Sequence, residues 1–491
     1  MSSSENTGYK SVVKSTALFG GAQIIQIVIA VAKSKLVALW LGTQGMGLMS
    51  IFSMVSNLVF NISNLGLASS EVKVVASEIS GGDDNKVKSL VKAIHRWVLV
   101  LGLFGGVVVV LLAKHLSSLY FESAHYTLCF ALLFFVIVFN SLFQEHLAVM
   151  QGFRALKSIV KTNILGALCG FIVSILLFYF FRIDGIIWSL VLTALLNCVI
   201  SHVYYKKLQI NTNFYQSVKD SIQLGSSAVK IGIAMAVSAV AVSAVEFIVR
   251  SFITSTGGIE EVGLFSAGWA INAQYLGLVF TAMAKDYFPR LSQNHNDNQV
   301  LKKLMSQQGE VALIILTPLI VGMLVLIEPC VSILYSREFL VATPMIEWLL
   351  VGSFVKSGSW GISFVFLAKG DMKAFLYNEL GIKLITLPSY LLGYKLWGLE
   401  GVGYAYTFIY VVYFILVALV AYKRYGLTYT PPYWNLFIKL FLLIVIYKLT
   451  ATLFLLTYPI KIIILLFVLM LALYELNKRI PIKAIFRANK S

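Results

Sequence analysis

From residue 12 to residue 476 the chain is a near-continuous succession of apolar segments, each long enough to cross a bilayer and each followed by a short polar link. A helix needs roughly 20 mostly apolar residues to traverse about 30 Å of hydrocarbon, and lipid offers no water to unpaired backbone groups, so such segments are helices. They fall at 12–41, 47–77, 91–113, 125–150, 158–181, 185–205, 222–252, 261–286, 307–328, 343–368, 374–394, 400–422, 434–456 and 458–476. The fold class predicted is an all-α polytopic membrane protein with about 14 transmembrane helices. Only Thr457, Tyr458 and Pro459 divide the last two. The composition fits no soluble class: 59% of residues are hydrophobic, 12% are charged and the mean hydropathy is +0.84, whereas soluble chains carry about 25% charged residues.

The links bound the chemistry. The longest polar ones, around 78–90, 206–221 and 289–306, are far shorter than the roughly 50 residues a folded domain needs. A membrane enzyme of polysaccharide assembly would need such a domain, so the chain is read as a non-enzyme. The four cysteines, Cys129, Cys169, Cys198 and Cys330, sit in or beside apolar runs without a CxxC spacing. They read as small buried residues, and no metal or cofactor is expected. The polar N-terminus runs into the first segment without an A-x-A site, so no cleaved signal peptide is expected.

The net charge of +17 would suggest nucleic acid in a soluble protein, but its distribution follows topology instead. With the N-terminus in the cytoplasm, the inside segments hold Lys10 and Lys14; Lys86, Lys88 and Lys92; Arg154 and Lys157; Lys206, Lys207 and Lys219; Lys285, Arg290, Lys302 and Lys303; Lys369 and Lys373; Lys423 and Arg424. The tail adds Lys478, Arg479, Lys483, Arg487 and Lys490, while the outside segments hold little beyond Lys114, Arg182, Arg337, Lys395 and Lys461. Both termini are therefore placed in the cytoplasm, and no nucleic-acid partner is expected.

Spans one to six resemble spans seven to twelve at an offset of about 215–218 residues. Gly47-Leu48-Met49-Ser50 aligns with Gly263-Leu264-Phe265-Ser266, Leu119-Tyr120 with Leu334-Tyr335, Gly152 with Gly370, Asp184-Gly185 with Glu400-Gly401, and Tyr205-Lys206 with Tyr422-Lys423. An even number of spans per repeat gives both halves one orientation, with a pseudo-two-fold along the membrane normal. The expected lobes are 1–215 and 216–425, followed by two extra helices and a basic tail over 426–491. In transporters built this way the substrate site lies between the lobes, so a carrier with a central polar cavity is expected.

Polar residues inside spans are costly against lipid and should face a cavity or one another. In the first span Gln23, Gln26, Ala30 and Lys33 share a face, with Lys35 roughly opposite Lys33. In the second, Ser50, Ser53, Asn57, Asn61 and Asn64 form a stripe that suits either cavity lining or interhelical hydrogen bonding. In the seventh, Ser243, Glu246 and Arg250 share a face, with Glu246 four residues before Arg250 in the favoured order for an ion pair. In the tenth, Lys356 and Trp360 lie one turn apart, a combination suited to a phosphate and a sugar face. Lys161, Lys230 and Lys383 lie nearer the cytoplasmic ends. Glu145, Glu246, Glu310, Glu347 and Glu379, with His146 and His202, are the titratable candidates within spans, and Pro318 and Pro388 interrupt spans nine and eleven. The substrate-binding set expected is Lys33, Lys35, Arg250, Lys356, Trp360, Asn57, Asn61 and Gln26. Glu246, Glu310 and Glu347 are the candidates for coupling to H+ or Na+.

The stretch Ala17-Leu18-Phe19-Gly20-Gly21-Ala22-Gln23, then Lys33-Ser34-Lys35, then Ala38-Leu39-Trp40-Leu41-Gly42-Thr43-Gln44-Gly45-Met46-Gly47-Leu48 and Leu65-Gly66-Leu67 resembles the opening of Wzx-type O-antigen translocases. These belong to the multidrug/oligosaccharidyl-lipid/polysaccharide (MOP) exporter superfamily, with its MATE and MurJ branches. The resemblance in span layout covers nearly the whole chain. It implies two six-helix lobes in a V and an undecaprenyl-pyrophosphate-linked oligosaccharide as substrate. It also implies cavity-lining cations in the first and seventh helices, where Lys33 or Lys35 and Arg250 stand here. Many Wzx proteins have twelve spans, so the two extra helices resemble MurJ instead. The expected function is a flippase of the bacterial cytoplasmic membrane, working by alternating access. The resemblance further implies a monomer among membrane lipids, with polysaccharide polymerase machinery as a partner. A MATE-like cation-coupled drug antiporter, whose cavity should be acidic, and a MurJ-like lipid II flippase remain the alternatives.

Overall fold

The computed structural model describes residues 3–210, 214–453 and 457–479. Among the basic residues singled out above, the side chains of Lys10, Lys14 and Lys230 and the tail residues Lys483, Arg487 and Lys490 lie outside the described residues. The described residues contain no strand. Helices follow in order as α1 (Ser3–Ser63), α2 (Leu67–Gly81), α3 (Asp84–Phe121), α4 (Thr127–Gly152), α5 (Leu156–Phe181), α6 (Gly185–Lys206) and α7 (Val218–Ile271). They continue as α8 (Gly277–Gln293), α9 (Asn298–Val325), α10 (Ile327–Leu334), α11 (Thr343–Ala368), α12 (Met372–Tyr425), α13 (Pro431–Leu453) and α14 (Tyr458–Arg479).

Among the described residues ten helical stretches are long and apolar enough to cross a membrane, so the chain is a multi-pass membrane protein. Four of them, Gly21–Ser63, Leu156–Lys206, Ala236–Gln293 and Met372–Tyr425, hold 43, 51, 58 and 54 residues, well beyond the roughly 20 that one crossing needs. Each contains one backbone break, at Gly42 (φ 65°), Arg182 (φ 51°), Gly258 (φ 87°) and Gly398 (φ 58°) respectively. Glycine reaches this left-handed region without a Cβ clash. Large apolar side chains remain outside, as lipid-facing helices require: Leu111 is 77% exposed and Leu384 79%. Pro318 and Pro388 sit inside α9 and α12.

The repeat is written in the backbone. Gly42 and Gly258, Arg154 and Gly370, and Arg182 and Gly398 all have positive φ and lie 216 residues apart within each pair, and Gln209 and Gly426 lie 217 apart. Asp83 and Asp297, 214 residues apart, both cap a helix start. Asp83 accepts from the amides of Asn85 and Lys86 at 3.1 Å each, and Asp297 from those of Gln299 and Val300 at 2.8 and 3.0 Å.

The chain divides into two compact units. The first runs to Gly263 and includes Leu334–Ser336; the second comprises Leu264–Ile333 and the chain from Arg337 on. The first part of α7 packs antiparallel on α1 within the first unit. Asn61 Nδ2 donates to Ser243 Oγ at 2.7 Å. A Cβ at Gly47 would stand 2.1 Å from the Ile259 carbonyl oxygen, and one at Gly66 would stand 2.1 Å from that of Gly232. Within this unit α3 packs on α4, α5 on α6, and α4 on α6. On α5, Gly166 and Gly170 face Asn197 and Thr193 of α6, the small-residue seam that lets membrane helices approach closely. In the second unit α11 packs on α12 and α9, and α13 and α14 pack on α9.

Gly66 carries two constraints, a φ of 71° and backbone contact with Gly232. The left-handed conformation alone costs a non-glycine residue about 1–2 kcal/mol, and the added methyl must push two helices apart. Gly66→Ala is therefore expected to lower the midpoint of thermal unfolding in detergent clearly, whereas Gly82→Ala, at a position with φ 77° but open space around it, should show only the smaller conformational effect.

Candidate functional site

In the first unit, α1 carries Gln26, Lys33, Lys35, Asn57 and Asn61, and α7 carries Glu246 and Arg250. Gln26 Nε2 donates to the Ala22 carbonyl one turn back at 3.3 Å. Lys33 is half-buried, and Lys35 Nζ donates to the Tyr335 carbonyl, in the short Leu334–Ser336 stretch of this unit. The stripe on the second half of α1 splits by role. Asn57 is exposed, Asn61 makes the hydrogen bond to Ser243, and Asn64 is buried and accepts from the Ala68 amide at 3.1 Å, starting α2.

Arg250 Nη1 stands 3.9 Å from Glu246 Oε2 one turn earlier on α7, with the arginine side chain 14% exposed and the glutamate 42%. That separation exceeds hydrogen-bond reach, so Glu246 offsets the guanidinium charge through space. Beside them Tyr120 and Ser251 share a hydroxyl–hydroxyl bond at 2.6 Å.

In the second unit Lys356 of α11 points its Nζ at two rings, 5.3 Å from the centroid of Tyr410 and 5.6 Å from that of Phe280. One turn on, Trp360 is locked among Phe280, Tyr287 and Phe364, with centroids at 5.5, 5.6 and 5.0 Å. Polar clusters flank the pair on α11, one at Ser353 and one at Ser363. Ser353 Oγ donates to Asn272 Oδ1 at 2.8 Å, and Asn272 Nδ2 donates to Tyr406 Oη at 3.1 Å. Tyr413 Oη donates to Glu379 Oε1 at 2.5 Å and meets Ser363 Oγ at 3.2 Å. Asn272 opens a single π-helical turn, Asn272–Leu276, a distortion common at functional sites. Lys356 and Trp360 were among the residues singled out in the sequence; the tyrosines beside them were not. The signal was there, since Tyr406, Tyr410 and Tyr413 recur at i, i+4 and i+7 on α12.

The three acidic coupling candidates stand differently. Glu246 is the half-exposed partner of Arg250. Glu310 accepts from Arg479 Nε at 2.5 Å, and Glu347 is paired with Lys448 Nζ. Both cations come from the last two helices. Arg479 also holds Glu475, which Lys439 reaches at 3.3 Å. These pairs fasten α13 and α14 to α9 and α11.

Between α11 and α12, Asp371 accepts from the Tyr425 hydroxyl at 2.5 Å, from the Ala374 amide at 2.9 Å and from Arg424. The Tyr425 hydroxyl, the Ala374 amide and Arg424 together hold its carboxyl below the usual carboxylate range. A depressed folded-state value means the contribution is complete above about pH 4 and is lost as pH falls through the lower folded value. Asp371→Asn is thus expected to lower thermal stability slightly at neutral pH, with the gap to wild type closing under acid; unfolding midpoints measured across pH check it.

Residues 20–344 match the family described as polysaccharide biosynthesis protein. Two curated relatives, the lipid III flippases of Escherichia coli (strain K12) and Shigella flexneri, are each 21% identical over 408 residues, covering 83% of this chain and 97% of theirs. Among solved structures, the lipid II flippase MurJ in an inward closed conformation superposes with a TM-score of 0.71 at 14% identity, covering 95% of this chain and 99% of that one. An inward-facing multidrug resistance MATE family transporter of the MOP superfamily superposes with a TM-score of 0.68 at 16% identity, covering 81% and 94%. Helices α13 and α14 hold 23 and 22 residues, so a match that omits only a twentieth of the chain includes part of them. The fold is that of MOP transporters, and the chain belongs to the polysaccharide biosynthesis protein family.

Proposed function

We propose that this protein is a flippase that carries an undecaprenyl-pyrophosphate-linked oligosaccharide across the bacterial cytoplasmic membrane by alternating access. In this reading the ten long stretches of the described residues, with four of them divided at Gly42, Arg182, Gly258 and Gly398, make fourteen crossings that leave both termini on one side. The observation that carries the reading is the sign of the span-borne charge. Lys33, Arg250 and Lys356 are basic at positions inside apolar helices, while Glu310 and Glu347, which an acidic drug site would use, are held by Arg479 and Lys448. A sugar–pyrophosphate headgroup is polar and anionic, and its polyprenyl tail stays in lipid. Basic side chains within the spans lower the penalty of moving that headgroup through hydrocarbon. Arg250 suits a phosphate, because a guanidinium presents a planar fork of donors. Trp360 and Tyr410, both part-exposed, suit a sugar face.

Binding measured through stability tests this reading. A ligand at 100 times its Kd stabilises the form it binds by about 2.7 kcal/mol. Undecaprenyl-pyrophosphate-linked oligosaccharide should raise the unfolding midpoint of the purified protein, and a lipophilic cationic dye should not. The reverse pattern favours the MATE-like reading; a shift with lipid II alone favours the MurJ-like one.

A further inference from the structure

Glu71 sits on α2 one turn from Leu67 and one turn from Val75, in a core completed by Val87, Ile94 and Val149. Its side chain has no exposure, and among the described residues neither carboxylate oxygen has a hydrogen-bond partner. Among the described residues it makes no ion pair. The helix α7 brings Ala228 and Val229 to the same core, and the next side chain, Lys230, lies outside the described residues. An ionised carboxylate in such surroundings is far costlier than the neutral acid. Glu71 is therefore held as the acid.

Glu145 on α4 is buried too and acts on Glu71 electrostatically. Its two oxygens lie 2.8 and 2.9 Å from Nδ1 of His95 on α3. The His95 side chain keeps 43% exposure, while Glu145 and Glu71 keep none. Other titratable groups among the described residues lie nearby. His146 on α4 is engaged by Ser201 Oγ at 2.8 Å and by His202 at 3.5 Å. On α6, Tyr205 feels the charge of Glu145 and Glu71, Cys198 that of Glu145, and His202 that of Lys206. An imidazole set against a buried carboxylate, with a second carboxyl sealed beside them, is an arrangement that fits a proton as its ligand.

We propose that His95, Glu145 and Glu71 form a proton-binding site in which a proton taken up at the exposed imidazole is delivered to the sealed carboxyl of Glu71. With Nδ1–H donating to Glu145, Nε2 accepts a proton from water. The Nδ1 proton then passes to Glu145, leaving a neutral imidazole, and Glu145 delivers it to Glu71 in exchange for the proton Glu71 holds, which leaves by the reverse path through Glu145 and His95 to water. The exchange moves one proton and no electrons. As the ion-coupling site of the flippase it rests on the function proposed above, and it places coupling in the first unit on residues other than Glu246, Glu310 and Glu347.

Infrared difference spectroscopy of the purified protein in lipid nanodiscs, with water exchanged for deuterium oxide, reads the site without any transport. Wild type should show the carbonyl stretch of a protonated, non-hydrogen-bonded carboxylic acid, shifting on deuteration. Glu71→Gln should abolish that band and leave the unfolding midpoint unchanged, because the amide keeps the shape of the neutral acid. Glu145→Gln should keep the band and slow its deuteration severalfold. A wild-type spectrum without that band, or a large stability loss in Glu71→Gln, would overturn the proton site. In proteoliposomes a pH gradient should speed wild-type translocation of the labelled lipid-linked glycan severalfold and leave Glu71→Gln at its gradient-free rate; an equal response of both would overturn the coupling role. If wild type moves no glycan at all, the flippase reading and the coupling role fall together, while the spectra still decide the proton site.

Discussion

Arg250→Ala is expected to reduce translocation of a lipid-linked glycan roughly ten- to hundredfold, because a hydrogen bond to a charged group contributes about 1.5–3 kcal/mol. The variant should still fold. Its partner Glu246 is 42% exposed and already 3.9 Å away, so removing the guanidinium strands no tightly paired, sealed carboxylate. Arg250→Lys separates two versions of the claim: charge alone predicts a mild loss, and forked contact with the pyrophosphate predicts a loss close to that of alanine. Initial rates in proteoliposomes, normalised to inserted protein, give the answer. Unchanged transport in Arg250→Ala would remove this residue from substrate binding.

Lys448→Ala should destabilise the protein strongly. The Lys448 and Glu347 side chains are only 11% and 21% exposed, and removing one partner of a buried pair costs about 3–5 kcal/mol, since the other charge is left uncompensated. Replacing both, Lys448→Met with Glu347→Leu, should recover most of that loss, because an apolar pair of similar volume needs no compensation. The measurement is the unfolding midpoint of the three proteins. If Glu347 instead served ion coupling, Glu347→Gln would abolish transport without moving the midpoint. The pair reads as a fastener for α13, as Glu310–Arg479 does for α14.

Much of the fold was legible because a bilayer imposes a length rule that an apolar run of about 20 residues satisfies on its own. The breaks were partly legible: Gly42, Gly258 and Gly398 are glycines, but Arg182 and Arg154 take up positive φ with side chains that announce nothing. The repeat offset, assembled from short matches such as Gly47-Leu48-Met49-Ser50, reappears in the spacing of those same breaks. Local pairs could also be read, as with Glu246 and Arg250 four residues apart. Long-range ones could not: Asn61 meets Ser243, Glu310 meets Arg479 and His95 meets Glu145 only through the packing of distant helices. Glu71 passed unnoticed for another reason. It falls near the end of the predicted 47–77 segment, where Lys73 and Glu78 suggest a polar helix end, and only its place midway between the buried Leu67 and Val75 marks it as internal.

The most direct measurement is headgroup accessibility in proteoliposomes carrying a fluorescent undecaprenyl-pyrophosphate-linked oligosaccharide in one leaflet, with a cationic dye assayed in parallel. The account predicts that wild-type protein brings the glycan to the opposite leaflet at a rate that falls at least tenfold in Arg250→Ala, while the dye stays where it began. Transport of the dye with the glycan left in place would contradict it.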